Sequence, residues 1–456
     1  MKKIYLYLFS LLIFLIFPMK AQESHDFFDP MDVFELEWAS DPQVSPDSKT
    51  IVYVRKSHDI MKDKVRSNIW QIKIDGEDHR PLYSELGNSY SPRWSPNQER
   101  LAFLSNNSGS TQIHMYWFKS GETRAITQLQ ESPSSLSWSP DGKWIAFTMN
   151  VKAKSNAIVK SREKPEGATW AKKPITVTTT RYQYDGRGIV EPSYRHIFVV
   201  PAEGGSARQL TTGNFNHYGP LSWSPDSESI FFSAYRSDDW ELASSEADIY
   251  RVKVTDERID QITDQSGQEN SPVVSPNGKL IAFNLRERRP LAYTPNRIAV
   301  MDSEGKNMRV ISGNLDGDAE NIVWAEDNQS IYFTFDERGI RKVGKVTLTG
   351  KLSEAATSVG GTTIGRPYIS GGFHVAKNTI AFTYGQSDRP ADLAIMQNGK
   401  FKVLTGLNED LLAHRKLGEV NEIVYKSSFD DQEIQGWYIT PPDYDPTKQY
   451  PLILEI

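Results

Sequence analysis

Seven times along the chain a large apolar residue is followed by a short polar stretch and then, seven positions on, by an apolar triplet. The clear copies are VSPDSKTIVY from Val44, WSPNQERLAF from Trp94, WSPDGKWIAF from Trp138, WSPDSESIFF from Trp223 and VSPNGKLIAF from Val274. Weaker versions are WAEDNQSIYF from Trp324 and FHVAKNTIAF from Phe373. Successive starts lie 50, 44, 85, 51, 50 and 49 residues apart. Each copy reads as a hairpin. The Trp or Val ends one strand, Pro presets φ in the turn, Asp or Asn and Gly accept its left-handed positions, and the triplet opens the next strand. A third strand follows, as in DIYRVKV from Asp248, and a closing segment ends the unit: RPLY at Arg80, RAIT at Arg124, RQLT at Arg208, DQIT at Asp260, RVIS at Arg309 and KVLT at Lys402.

Four strands per repeat at this period predict propeller blades, and seven units close a ring that hides its sheet edges. A β-sandwich array or a solenoid is the weaker alternative. The predicted fold is therefore all-β, a seven-bladed β-propeller of four-stranded blades over residues 22–418. The 85-residue spacing has room for an eighth blade, but no turn motif occurs between Met149 and His196. About 150–190 is read instead as an insertion, from VKAKSNAIVK to TTTRYQYDGRGIVEPSY, with a Lys-rich first half expected to be a mobile loop. Ahead of blade one, Asp29 or Asp32 is placed to cap a short helix, with Phe27 and Phe28 as its apolar contacts.

Both ends depart from the repeat. Residues 1–21 read as a secretory signal: Lys2 and Lys3, an apolar run over 4–17 too short to span a bilayer, Pro18, and a cleavage point after Ala21. An uncleaved anchor is the alternative. From Asn421 the chain reads as a hairpin, a Pro-rich link and, over 451–456, a β-branched run of the kind that forms a buried strand. Such a strand needs neighbours on both sides. Residues 419–456 are accordingly expected to begin a second domain, cut short.

At this point the residues support a likeness. The opening DVFELEWASDPQVSPDSKTIVYVR, the insertion TRYQYDGRG with YRHIFVVPAEGGSARQLT, and the tail SSFDDQEIQGWYITPPDYDPTKQYPLILEI resemble the prolyl oligopeptidase family of serine peptidases, in its acylaminoacyl-peptidase and dipeptidyl-peptidase branch. The resemblance implies that 419–456 enter an α/β-hydrolase domain whose Ser, Asp and His lie beyond Ile456. It also implies that the propeller gates access of short peptides to that domain. The SPDG repeats by themselves are shared with TolB-like periplasmic propellers, so a stand-alone propeller that binds a protein partner stays open as the alternative.

Composition narrows the chemistry. The net charge is −6 without a basic block, which argues against a nucleic-acid partner. There is no cysteine, hence no disulfide and no lipidated N-terminal Cys. No G-x-S-x-G elbow is present; GGSAR at Gly204 sits between strand signals and reads as a turn. The eight His show no metal-ligand spacing and no phosphate loop occurs, so no metal, no cofactor and no catalytic residue are assigned. The chain by itself is expected to be inactive, exported to the periplasm or secreted, without stable membrane insertion once the signal is removed, and compatible with a homo-oligomer. Candidate substrate contacts are Arg181, Tyr184, Asp185 and Arg187: Arg suits a carboxylate or carbonyl, Asp an amino terminus. The competing reading of YDGRG is a tight turn. The repeat tryptophans are assigned to blade cores rather than to a sugar platform, and RERRP at Arg286 to a solvated loop.

Overall fold

The computed structural model describes residues 27–454 except 154–161, 172–174, 178, 244, 290, 292 and 362–369. The signal segment and much of the Lys-rich half of the insertion fall outside the described residues. The chain divides into two units: Phe34–Glu409, and Met1–Val33 together with Asp410–Ile456.

In the first unit, seven four-stranded antiparallel sheets follow one another in chain order. Blades 1 to 7 span 38–83, 89–125, 133–209, 217–261, 267–310, 320–356 and 373–403. The chain is a seven-bladed β-propeller, as the repeat demands. Every blade is made of continuous chain, so no strand is exchanged to close the ring. Closure rests on packing: Ala39, Val44, Ile51 and Tyr53 of blade 1 meet Ala381, Leu393 and Ile395 of blade 7 in one buried cluster. The Ser48 hydroxyl adds a hydrogen bond to the Ala376 carbonyl at 2.7 Å.

The repeat residues have three recurring jobs. The first is the turn. In SPDG-type turns the Ser Oγ donates to the Asp or Asn carboxylate or amide oxygen, at 2.6 Å for Ser139 and Asp141, and accepts the N–H that opens the next strand, at 2.9 Å from Trp144. The second is stapling. The indole N–H of Trp94 donates to the Gln43 carbonyl, Trp138 to Arg93, Trp223 to Ser137 and Trp324 to Val273, at 2.8–3.3 Å. Each acceptor immediately precedes the equivalent Trp or Val of the blade before. The tryptophans are thus blade core, as expected, and also bolts between blades. The third job belongs to the Thr or Ser of the closing segments, whose hydroxyl accepts the first apolar N–H of the third strand: Thr127 from Ile113, Thr211 from Ile197, Thr263 from Ile249, Ser312 from Ile298 and Thr405 from Leu393.

One feature was not legible in the triplet pattern. Inner strands carry a bulge three residues before the Trp or Val, with a left-handed residue at Asp41, Ser91, Ser135, Ser271 and Asn321 (φ 45–55°). Short polar side chains tolerate that conformation, and a bulge bends the strand and sharpens its twist.

In the second unit, Val420–Lys426 pairs with Glu433–Ile439 as the expected hairpin. Asp29 caps the 3-10 helix Pro30–Glu35 by accepting the Met31 N–H at 2.8 Å. The buried Asp32 carboxylate takes two guanidinium hydrogen bonds from Arg415, at 2.7 and 2.9 Å, which ties the segment before the propeller to the one after it. Residues 451–454, read from sequence as a buried strand, belong to no sheet here, and Leu452 and Ile453 are largely exposed. Among the described residues no strand pairs with them.

Candidate functional site

In an antiparallel four-strand meander, the turns after the first and third strands fall on one face of the ring and the connections after the second and fourth on the other. The short SPDG turns occupy the first face. The second face receives the long connections: 153–192 in blade 3, 235–247 in blade 4 and 288–296 in blade 5. It is also the face at which the chain enters blade 1 and leaves blade 7. Exposed apolar side chains gather on these connections, among them Trp170, Tyr182, Tyr184, Leu242, Leu291 and Tyr293.

All four sequence candidates lie there. Gln183–Tyr184 pairs with Gly188–Ile189, and the reversal is closed by the Arg187 N–H on the Tyr184 carbonyl at 3.1 Å. Gly186 at φ 72° and Gly188 at φ 67° supply the left-handed positions, so Asp185 and its glycines do the turn's work. Arg181, Tyr184, Asp185 and Arg187 are all exposed. The hairpin is anchored: Glu241 of blade 4's connection accepts both the N–H and the hydroxyl of Thr180 at 3.0 Å, and Tyr194 packs edge-on to Trp240. Arg181 and Tyr184 come within electrostatic reach of Tyr218, at the start of blade 4's inner strand. Burial raises the Tyr218 hydroxyl pKa, Arg195 and Arg181 oppose the rise, and Tyr184 adds to it. The Arg195 guanidinium sits over the Tyr218 ring at 5.4 Å. Asp185 and Arg187 stay at the hairpin tip, apart from this group.

Behind Tyr218 lies a pair of neutral imidazoles. His217 Nδ1 donates to the Arg195 carbonyl at 2.8 Å, which leaves Nε2 to accept from Arg236 at 2.5 Å. Burial pushes His217 down to about 3, with Arg236 and His196 adding to the fall and the Arg195 carbonyl opposing it. Burial and Arg236 bring His196 to about 4. Arg236 further donates to the Thr212 carbonyl at 3.2 Å and lies over the Phe215 ring.

Arg236 also borders a cavity of about 410 Å³ between blades 4 and 5, lined by Tyr235, Glu246, Asp248, Tyr250, Asp264 and Arg288 among others. Asp248 is 6% exposed, and its partner is the neutral Gln261 amide at 3.1 Å. Burial, then Asp264 and Glu246, raise its carboxyl to about 6. Glu269 is fully buried next to this group, and burial pushes it up to about 7, with Asp248 and Asp264 contributing. The Thr263 hydroxyl and Gln265 N–H lie near the Glu269 carboxyl and oppose the rise, but neither makes a well-formed hydrogen bond to it. Sequence reasoning missed this cavity. Its only trace is an acid in each of two strands, Asp248 and Glu269, beside otherwise apolar or neutral neighbours. Among the described residues no group of three or more His, Asp or Glu is arranged to hold a metal, and no helix is long and apolar enough to cross a membrane.

The profile of the TolB beta propeller domain family matches residues 36–170 and 137–364. An uncharacterized peptidase of Bacillus subtilis, YuxL, is 26% identical over 445 residues, which is 93% of this chain and 65% of that protein. Dipeptidyl-peptidase 5 of Porphyromonas gingivalis is 24% identical over 458 residues, covering 96% of this chain and 64% of its own length. The chain therefore spans just under two thirds of the relatives it matches. The Pyrococcus horikoshii acylaminoacyl peptidase superposes with a TM-score of 0.71 at 17% identity, over 92% of this chain and 60% of that one. The likeness that the opening, the insertion and the tail suggested is thus met across nearly the whole chain. This chain belongs to the TolB β-propeller domain family, and over nearly its whole length it is similar to part of longer proteins named as peptidases.

Proposed function

We propose that the chain is the substrate-admitting propeller of an exported serine peptidase that hydrolyses short peptides, of dipeptidyl-peptidase or acylaminoacyl-peptidase type. One observation carries the reading. Every long connection, the anchored hairpin 180–190 and the blade 4–5 cavity share the face at which the chain enters and leaves the ring. A gate is useful only on the face turned to the chemistry, and a covalently attached hydrolase domain has to join there. The hairpin from Val420 and the apolar residues 451–454 are the start of that domain, and residues 1–21 direct export. Arg181 and Tyr184, with Tyr218, guide a peptide at the mouth; Asp185 and Arg187 shape the hairpin that carries them. The triad is supplied by the rest of the protein, and this chain alone does not turn over substrate.

Membership of the TolB propeller family favours a second reading, a binding module for a protein partner. One experiment separates them. The 456-residue chain and the whole reading frame are each treated with a fluorophosphonate probe and with chromogenic dipeptide and acyl-amino-acid substrates. Labelling and turnover in the whole protein alone support the gate. Labelling of the 456-residue chain, or none in either form, sinks it.

A further inference from the structure

We propose that Arg195 and Arg181 form a receptor for a carboxylate at the mouth between blades 3 and 4, with Tyr218 and Tyr184 as its walls. A comparison of blades identifies the missing partner. In blade 6, Asp336 stands twelve residues after Trp324, directly across the strands from Arg341. The Arg341 guanidinium donates to Asp336 at 2.9 Å and to Glu320 of the inner strand at 2.9 Å. In blade 3 the same position, twelve residues after Trp138, is Asn150, directly across from Arg195. Register partners in an antiparallel pair share a face, so Asn150 brings an amide where Asp336 brings a charge. Other arginines near the start of a third strand have partners: Arg66 has Asp59, Arg389 has Asp388 and Glu409, and Arg297 takes the carbonyls of Leu315 and Gly317. Among the described residues the Arg195 guanidinium has only the Tyr218 ring, at 5.4 Å. Acids on the nearby connections are engaged: Glu131 and Glu191 face Lys152 at 3.8 and 3.6 Å, and Glu241 accepts from Thr180. The hairpin carries a second guanidinium, Arg181, within electrostatic reach of the same phenol. Behind them, Arg236 is met by the neutral His217 and the Thr212 carbonyl. Gathered cations repel one another unless an anion joins them, and a guanidinium fork takes a carboxylate through two parallel N–H bonds. Tyr184 and Tyr218, both about half exposed, add a hydroxyl donor each. A peptide offers a carboxylate at its C-terminus or on an Asp or Glu side chain. Naming a peptide as the carrier rests on the peptidase reading; the contrast between blades 3 and 6 does not.

The test is a ligand-observed NMR titration of the 456-residue chain, with turnover measured on the whole reading frame. The probes are N-acetyl-Ala-norleucine-Ala as the free acid, the same peptide as its amide, and N-acetyl-Ala-Glu-Ala amide. Binding of the free acid without its amide identifies a C-terminal carboxylate, and binding of the Glu peptide identifies an acidic side chain. Either supports the site when Arg195→Gln and Arg181→Gln each weaken it about tenfold. Arg181 is exposed, so its substitution leaves the fold intact even where Arg195→Gln does not. Asn150→Asp is the sharper variant. It gives Arg195 the acid that blade 6 gives Arg341, at an exposed position, and should abolish carboxylate binding. Equal binding of the acid and its amide, no binding of either carboxylate, or unchanged binding in any of the three variants overturns the proposal. If a carboxylate binds as described and the whole reading frame turns over no peptide, the site stands and the peptidase reading falls.

Discussion

A tryptophan that looks like core filler from sequence becomes, in the ring, a directional fastener. Trp324 is buried and donates its indole N–H to Val273 of the neighbouring blade at 2.8 Å. Trp324→Phe keeps most of the apolar surface but removes the indole N–H that reaches the neighbouring blade. It is expected to lower unfolding free energy by about 2 kcal/mol in a denaturant titration. The same change at Trp94, only half-buried, should cost less. Thr263→Val removes the acceptor for the Ile249 N–H at 2.9 Å together with the hydroxyl beside Glu269, a loss of about 1–2 kcal/mol. Glu269 gives a pH signature. Its folded pKa of about 7 lies above the ordinary carboxylate value, so the folded state holds a proton that the unfolded state releases. Stability from this group is present at low pH and is lost as pH rises from the ordinary carboxylate range through 7. Glu269→Gln is therefore expected to stabilise the chain at pH 8, by something on the order of 2 kcal/mol, and to gain nothing near pH 4. An equal gain at both pH values would show that the shift is not the cause.

At the level of elements, the blades differ in how they are joined. Where Trp94, Trp138, Trp223 and Trp324 stand, a side chain bolts each blade to the one before. Blades 1 and 5 carry Val44 and Val274 at that position. There the backbone compensates: the Val44 N–H donates to His374 Nδ1 at 3.2 Å and the Val274 N–H to the Ser222 hydroxyl at 2.9 Å. The Asp32–Arg415 pair plays a comparable role in the second unit. Asp32 is 5% exposed, so truncating Arg415 takes the guanidinium from a buried carboxylate that keeps the Asp29 N–H at 2.8 Å. Arg415→Ala should cost about 3 kcal/mol, and Asp32→Asn in the same chain should recover part of it. Additive losses in that double-mutant cycle would mean the pair is not coupled.

At the scale of the molecule, a ring with no exchanged strand is closed only by side-chain packing between blades 1 and 7 and a few hydrogen bonds. This seam is expected to open first. In hydrogen exchange, the inner-strand amides of blade 1 around Val44 should exchange faster than those around Trp94 and Trp138. Uniform protection around the ring would show that packing closes this seam as firmly as the indole bolts close the four seams that carry them.

The sequence alone determined the blades, their number and the place of the insertion, because each is written in local patterns: a turn's Pro and Asp, a strand's apolar run, a fixed period. It also marked the hairpin from Val420, whose turn and strands are contiguous. On the loop-bearing face it located the turn at Asp185 and Gly186, whose two short strands are neighbours in chain and in space alike. Only the tertiary structure decided what joins the blades and what gathers on the loop-bearing face. Trp324 and Val273 are far apart in the chain, and so are Asp248 and the strand that brings up Glu269. Their roles depend on which blades the ring sets side by side, and on how deeply a carboxyl is buried once it has closed. Burial of that kind is a property of the assembled sheets, and no stretch of sequence carries it.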